Sequence, residues 1–218
     1  WMTNFVNQLN LGEYNVRPMI VNVCNFTPAS GSTPSLLNID ETLTLFHEFG
    51  HALHGLMTKA HYPSVSGTNV KHDFVELFSQ IYEHWAMEPE VLKSYAKHYK
   101  TNETIPDELI EKIKKASHFN SGFETTELVA AAMLDMEMHN LTDYKDFNAE
   151  EFEKKLREEI GLIPQIEYRY RPCNFSHIFN NGYAVGYYAY LWAEVLDTDA
   201  FELFKERGIF DPATAKAF

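Results

Sequence analysis

The sequence predicts a mainly α protein with a small β-sheet element. Three observations carry that reading. The positions Leu43, Phe46, Phe49, Gly50, Leu53 and Leu56–Met57 recur at the spacing of one helix face. Capping residues and Pro/Gly punctuation mark about seven helices in all. Against these, Met19–Phe26 (MIVNVCNF) is the clear strand candidate, β-branched and alternating, and the total is one or two strands.

The elements follow in order. After the predicted strand, the Pro/Ser/Gly-rich stretch TPASGSTPS is a loop. Asn38 or Asp40 can cap a long amphipathic helix that runs to about residue 59. Tyr62–Asp73, with Gly67 and Asn69, reads as a loop, and a second helix spans about Asp73 to Met87. Pro89 ends that helix or breaks it into a further one to Lys100, and Pro106-Asp107-Glu108 opens another. Phe123–Asn140 is an Ala/Met/Leu-rich helix. Asn148-Ala149-Glu150-Glu151 resembles a capping box ahead of a charged helix that stops at Gly161. The last long helix spans about Tyr187 to Arg207 and is closed by Gly208. Asp211-Pro212 then starts a helix that the sequence does not finish. There is no internal repeat.

Composition narrows the function classes. With 218 residues and 45% apolar content the chain can bury a sizeable core, as one large domain or two small ones. Lys and Arg number 18 against 31 Asp and Glu, a net charge of −13, and the longest basic cluster is Lys112–Lys115. Nucleic-acid partners are therefore excluded, because phosphate neutralisation needs a basic face. No apolar run approaches the roughly 20 residues of a membrane-spanning helix, so no membrane role is expected. Cys24 and Cys173, far apart and without CxxC spacing, read as two buried thiols, with one disulfide as the alternative. The start at Trp1, without an initiator Met or signal-like segment, and the unfinished last helix lead us to expect a piece of a longer protein.

The chemistry concentrates in His47-Glu48-Phe49-Gly50-His51, an HExxH sequence on the first helix. Four residues advance a helix by about 400°, so the two imidazoles project from one face and can share one zinc ion. Glu48 lies about 100° round the helix, where a carboxylate can serve as general base without ligating. Zinc used in catalysis takes a third protein ligand and leaves one position open. His54 and Glu76 compete for that role. His54 sits on the same straight helix, with poor reach to an ion pinned between His47 and His51, whereas Glu76 lies on the next helix after a loop long enough to reverse the chain. Glu76 is the better placed, and the set points to a gluzincin-type zincin core. Gly at position 54 and His at 57, which a metzincin would need, are replaced by His54 and Met57. Ser79, Gln80 and Glu83 share the face of Glu76, and Glu83 can accept a hydrogen bond from a ligating imidazole.

A second dense segment runs from His177 through Gly182, Tyr183, Gly186, Tyr187, Tyr188 and Tyr190 to Trp192. So many tyrosines within eight residues exceed what one helix face can bury with every hydroxyl satisfied, which suggests a lined cleft whose phenols and imidazole can donate to an oxyanion or a peptide backbone. Arg169 and Arg171 are candidates for holding a substrate carboxylate.

The successive stretches LFHEFGHALHGL, SGTN, DFVELFSQIYEHW and HIFNNGYAVGYYAYLW resemble, in order and over most of the chain, the thimet oligopeptidase, neurolysin and peptidyl-dipeptidase group of zinc metallopeptidases. The resemblance implies a neurolysin-like fold, with residues 1–218 as the catalytic core and the N-terminal lobe of the parent enzyme missing. It implies one zinc per chain, held by His47, His51 and Glu76, with Glu48 as general base and acid. His177, Tyr183 and Tyr190 would donate to substrate and transition state, and Tyr187 and Gly67 would line the substrate site. The partners implied are short peptides. The wording of these stretches is most similar to the peptidyl-dipeptidase branch, which releases C-terminal dipeptides. An endopeptidase like oligopeptidase A, or a zinc-binding but inert fragment, are the alternatives. The family implies a cytoplasmic location, with a periplasmic one as the other option. Two departures stand out: Asn180-Asn181 occupy positions where related sequences usually carry glycines, and Leu77-Phe78 occur where a Pro is common.

Overall fold

The structure, a computed structural model, describes residues 1–180 and 182–218; Asn181, one of the two asparagines noted above, lies outside the described residues. The chain opens with four short strands, β1 (Met2–Val6), β2 (Leu9–Leu11), β3 (Tyr14–Val16) and β4 (Met19–Asn22). Helices follow as α1 (Ile39–Met57), α2 (His72–Met87), α3 (Pro89–Tyr95), α4 (Asp107–Ser117), α5 (Ser121–His139), α6 (Ala149–Glu159), α7 (Ser176–Asn180), α8 (Ala189–Arg207) and α9 (Pro212–Ala217). They form two compact units: residues 1–112 with 193–218, and residues 113–192.

In the first unit, β1 and β4 pair antiparallel through Met2–Asn22, Thr3–Val21 and Asn4–Ile20, with a bulge before Val6–Met19, and β2 pairs with β3. The predicted strand Met19–Phe26 is thus cut to Met19–Asn22, and three further strands precede it. Their sequence hides them because β1 inverts the usual polarity: Asn4 faces inward while Phe5 is 73% exposed. Asn4 is useful there, since its Nδ2 donates to Thr68 Oγ1 at 2.9 Å and so links the sheet to the loop before α2.

The capping choice at α1 falls to Asn38. Its side chain accepts from Glu41 N at 2.8 Å, and Glu41 Oε2 accepts from Asn38 N at 2.9 Å, closing a capping box. Glu41 Oε1 also accepts from Thr27 N and Thr27 Oγ1, at 2.7 and 2.8 Å, and so anchors the loop that precedes the helix. These bonds, first among them that from the Asn38 backbone, hold the Glu41 carboxyl below the usual range.

Two glycines let neighbours approach α1. At Gly50 a Cβ would stand 2.3 Å from Phe78 O and 2.8 Å from Ser79 Cα, so the backbone of α2 lies directly against α1. At Gly55 a Cβ would meet only side-chain ends, Ile20 Cδ1 and Asn4 Oδ1, at 2.7 and 2.8 Å.

Helix α3 ends at Tyr95 rather than at Lys100, because the chain turns back and pairs with itself: Ile105 N donates to Ala96 O at 2.9 Å and His98 N to Glu103 O at 2.8 Å. The far end of α2 is fastened to α8 within this unit. Ile81, Phe201 and Phe204 form a buried cluster with Trp85 and Ile209 against it. Trp85 Nε1 donates to Ile209 O at 2.8 Å, and His84 Nε2 lies 2.7 Å from Asp197 Oδ1.

The second unit is built on α5, whose Ala130–Ala132 and Leu134 pack with Leu156, Phe175, Ile178 and Tyr187. Asn148 Oδ1 caps α6, accepting from Glu150 N and Glu151 N at 3.0 and 3.2 Å, and the helix ends before Gly161 at φ +68°. Both cysteines are free, the favoured of the two readings, yet neither is buried: Cys24 is half-buried, and Cys173 is exposed within the short helical turn Pro172–Asn174. Among the described residues no helix is long and apolar enough to cross a membrane.

The Gly50 contact makes a signed prediction. An alanine in an open helix interior would stabilise by about 1 kcal/mol. Gly50→Ala should instead destabilise by about 1–3 kcal/mol, because rigid backbone must give way. Gly55→Ala, opposed by movable side-chain ends, should cost less. Urea midpoints of the two variants, at unchanged m-value, check this; a Gly50→Ala midpoint at or above wild type would contradict the packing described.

Candidate metal centre

Helix α1 carries His47 and His51 one turn apart, their rings edge to face with centroids 4.9 Å apart. Both Nε2 atoms converge on Glu76 Oε2 from α2, at 3.3 Å for His47 and 3.2 Å for His51. The three donor atoms lie within 4.8 Å of one another. Bonds of about 2.0–2.1 Å at tetrahedral angles separate neighbouring ligand atoms by about 3.3 Å, which both imidazole-to-carboxylate distances match. Glu76 is 2% exposed, and Ser79 Oγ, 2.8 Å from the same Oε2 and 2.9 Å from the Glu76 carbonyl, orients it.

The surroundings select which imidazole atom would face an ion held there. His47 Nδ1 lies 2.7 Å from Glu83 Oε1; with the proton on Nδ1 donated there, Nε2 is left bare for a cation. His51 Nδ1 is buried and has no hydrogen-bond partner among the described residues. Burial works against an ionised Glu76, but the hydrogen bonds from His47 and His51 overcome it and hold its carboxyl well below the usual range. Burial likewise opposes a charged His47, yet Glu76 and Glu83 raise it to about 10. The cluster therefore attracts positive charge into the space between the two helices.

His54 stands apart from this set. Its ring lies 4.1 Å from that of Phe78, and burial, followed by the charge of His51, pushes it down to about 4, so it is neutral near pH 7. Glu48, with a side chain 13% exposed, is next to His47 in sequence but outside the three-residue group, and its Oε1 is 3.4 Å from the Trp1 nitrogen. Gly67 has φ +55°, and a Cβ there would stand 3.1 Å from Gly55 Cα. Its N–H donates to Thr58 Oγ1 at 3.2 Å, which ties the SGTN loop to the end of α1.

In the second unit, His177 on α7 and Tyr183, Tyr187 and Tyr190 form one aromatic cluster. Tyr183 and Tyr190 stack with centroids 5.5 Å apart and planes within 7°, and His177 lies 6.4 Å from each. Tyr187 differs from its neighbours. It is 2% exposed, bonds Arg169, and is pushed up to about 12, burial being the first cause. It therefore underpins the cluster instead of facing solvent. The arginines singled out in the sequence are paired: Arg171 Nε with Glu153 Oε2 at 2.7 Å and Arg169 Nε with Glu127 Oε2 at 3.5 Å.

Sequence reasoning passed over Asp135, a carboxylate with no exposed surface on α5 that accepts from the backbone of Val185 and Tyr187. Its signal was a lone acid closing the apolar run Ala130–Leu134.

An HExxH helix clamped against a second helix whose glutamate reaches both imidazoles is the gluzincin arrangement. The chain belongs to Peptidase family M3, whose sequence model matches residues 1–218. It is similar to dipeptidyl carboxypeptidase of Escherichia coli (strain K12), 47% identical over 210 residues that make up 95% of this chain and 30% of that protein. Dipeptidyl carboxypeptidase of Salmonella typhimurium is 48% identical over 210 residues, covering 95% of this chain and 31% of its own length. Oligopeptidase A of Haemophilus influenzae is 36% identical over 221 residues, 100% of this chain and 32% of that one. The chain thus spans about 30% of the length of the curated relatives it matches.

Removing the acceptor behind His47 should weaken the centre without dismantling it. Glu83→Ala is expected to lower metal affinity about 10–100-fold. Glu83→Gln, which keeps an acceptor but loses the charge, should lower it less. Competition with a chelator at fixed pH measures both; unchanged affinity in Glu83→Ala would remove Glu83 from the centre.

Proposed function

We propose that the chain is the catalytic core of a longer zinc peptidase that hydrolyses short peptides and releases dipeptides from their C-termini. The observation that carries this reading is the convergence of His47, His51 and Glu76 in a chain of Peptidase family M3. The dipeptidyl preference is supported by 47–48% identity to two proteins named dipeptidyl carboxypeptidase, against 36% to an oligopeptidase A.

Two imidazoles and one carboxylate at tetrahedral spacing suit zinc, with one position left open. Bound there, zinc would supply Lewis acidity and bring the pKa of water toward about 7. The chain's own residues do the rest. A carboxylate oxygen of Glu48 takes a proton from water as the water oxygen bonds to the scissile carbonyl carbon. As the C–N bond breaks, Glu48 returns that proton to the leaving amine nitrogen. His177 and Tyr183 donate to the carbonyl oxygen as it gains charge. Gly67 and Tyr190 contact the peptide, and Tyr187 packs beside Tyr190. The rest of the longer chain, including the N-terminal lobe implied by the family resemblance, would complete the substrate channel.

Zinc content and cleavage measured on one sample test the reading. An unblocked short peptide should lose successive two-residue units from its C-terminus by mass spectrometry, and a C-terminally amidated one should be spared. Internal cuts in both would favour an oligopeptidase, and one zinc without cleavage would mean that this stretch binds metal but does not hydrolyse unaided. Glu48→Gln should keep its zinc while the rate falls at least about 10²-fold. A Glu48→Gln variant as fast as wild type would end the assignment of the base.

A further inference from the structure

We infer that Asp135 is a positioning residue, whose buried carboxylate fixes the turn 183–188 that presents Tyr183 and Tyr190. The inference rests on the reading of those tyrosines as substrate-facing. Asp135 lies on α5 with no exposed surface. Its Oδ1 accepts from Val185 N at 2.9 Å and its Oδ2 from Tyr187 N at 2.9 Å. The third partner is His139 Nδ1, 2.9 Å from Oδ1 and 2.9 Å from the Asp135 carbonyl. A buried carboxylate is costly unless such donors surround it. Here two of them are backbone amides on either side of Gly186, so one side chain sets both peptide planes.

The turn needs that grip. Val185 has φ +58°, a left-handed conformation that a β-branched residue rarely adopts. Such a residue persists where its surroundings over-determine it. Gly186 N donates to Tyr183 O at 2.7 Å, and a Cβ at Gly186 would already crowd that oxygen at 3.2 Å. The strained residue is therefore flanked by Tyr183 on one side and the buried Tyr187 on the other, and the stack of Tyr183 on Tyr190 depends on the direction in which the turn leaves the cluster. If Asp135 were only a helix-start acceptor for α8, strain at Val185 would be incidental.

Hydrogen exchange and kinetics on the 218-residue chain separate these roles. In Asp135→Asn the amides of Val185 and Tyr187 should exchange at least about tenfold faster, the scale of losing a hydrogen bond to a charged group. Zinc affinity should stay at the wild-type value, and kcat for a short peptide should fall at least about tenfold with KM changed less than about threefold. Adding Val185→Gly, for which φ +58° carries no penalty, should recover part of both the protection and kcat. A general loss of stability would instead speed exchange throughout α5 and α6 as well. If Asp135→Asn fails to fold, His139→Gln should show smaller changes of the same sign. Wild-type exchange at Val185 and Tyr187 in these variants, or faster exchange with kcat and KM unaltered, would overturn the inference. If the wild-type chain hydrolyses nothing, this stretch does not hydrolyse unaided; exchange, with its rescue by Val185→Gly, then decides the grip of Asp135 by itself.

Discussion

The candidate metal centre depends on how closely two helices approach at one residue. His47 and His51 sit on α1, but the third donor and the acceptor behind His47 both come from α2, as Glu76 and Glu83. Those two residues are seven apart, two turns of one helix face. Their carboxylates reach opposite sides of the same imidazole, Oε2 of Glu76 at Nε2 and Oε1 of Glu83 at Nδ1. Such a grip fixes rotation and translation of α2 together, and it closes only because Gly50 leaves nothing between α1 and the Phe78–Ser79 backbone. The glycine lies within the HExxH stretch itself, so ligand spacing and helix spacing are set by the same five residues.

Charge follows from that packing. The whole chain carries −13, but the local balance matters more: two carboxylates face His47, and Glu48 follows it in sequence. Burial would ordinarily drive both Glu76 and His47 to their neutral forms. Each is held charged by the other, and the positive charge they call for can be a proton or a metal ion. His54 shows what burial does without such a partner: packed on Phe78 and facing the charge of His51, it is neutral near pH 7. His47 and His54, seven residues apart on one helix, thus come to different charge states through their neighbours, which is why spacing alone separated ligand from bystander only by an argument about reach.

What the sequence revealed, and what it hid, divides along physical lines. Helices α1, α2, α5, α6 and α8 carry caps, Pro and Gly stops and long apolar periodicity, and their bounds differ from the expected ones by about two residues. The strands were missed because three to five residues hold too little period to detect, and because β1 turns Asn4 inward to serve a loop bond rather than a core. The end of α3 was set by a return pairing of Lys97 with Thr104 that no local pattern announces. At the centre, the His–Glu–His spacing on α1 and the distance to Glu76 were readable, since a helix converts spacing into direction. The Gly50 contact was not, because its only mark is a missing side chain. Asp135 was not either, since its partners lie some fifty residues on.

Glu76 and Asp135 are two of the buried carboxylates among the described residues, and their partners explain why they differ in kind. Both are essentially excluded from solvent, at 2% and 0% exposure, and each is surrounded by hydrogen-bond partners. The donors on Glu76 include two imidazole nitrogens, groups that can give up a proton and turn the same lone pairs toward a metal ion. Two of those on Asp135 are backbone amides, which have no second state to offer. Positive charge at Glu76 is therefore exchangeable, as a metal site requires. At Asp135 the two amide bonds are permanent, and their free energy can be committed to holding Val185 where a valine would not otherwise stay. One carboxylate provides a place for an ion to come and go, and the other provides a shape.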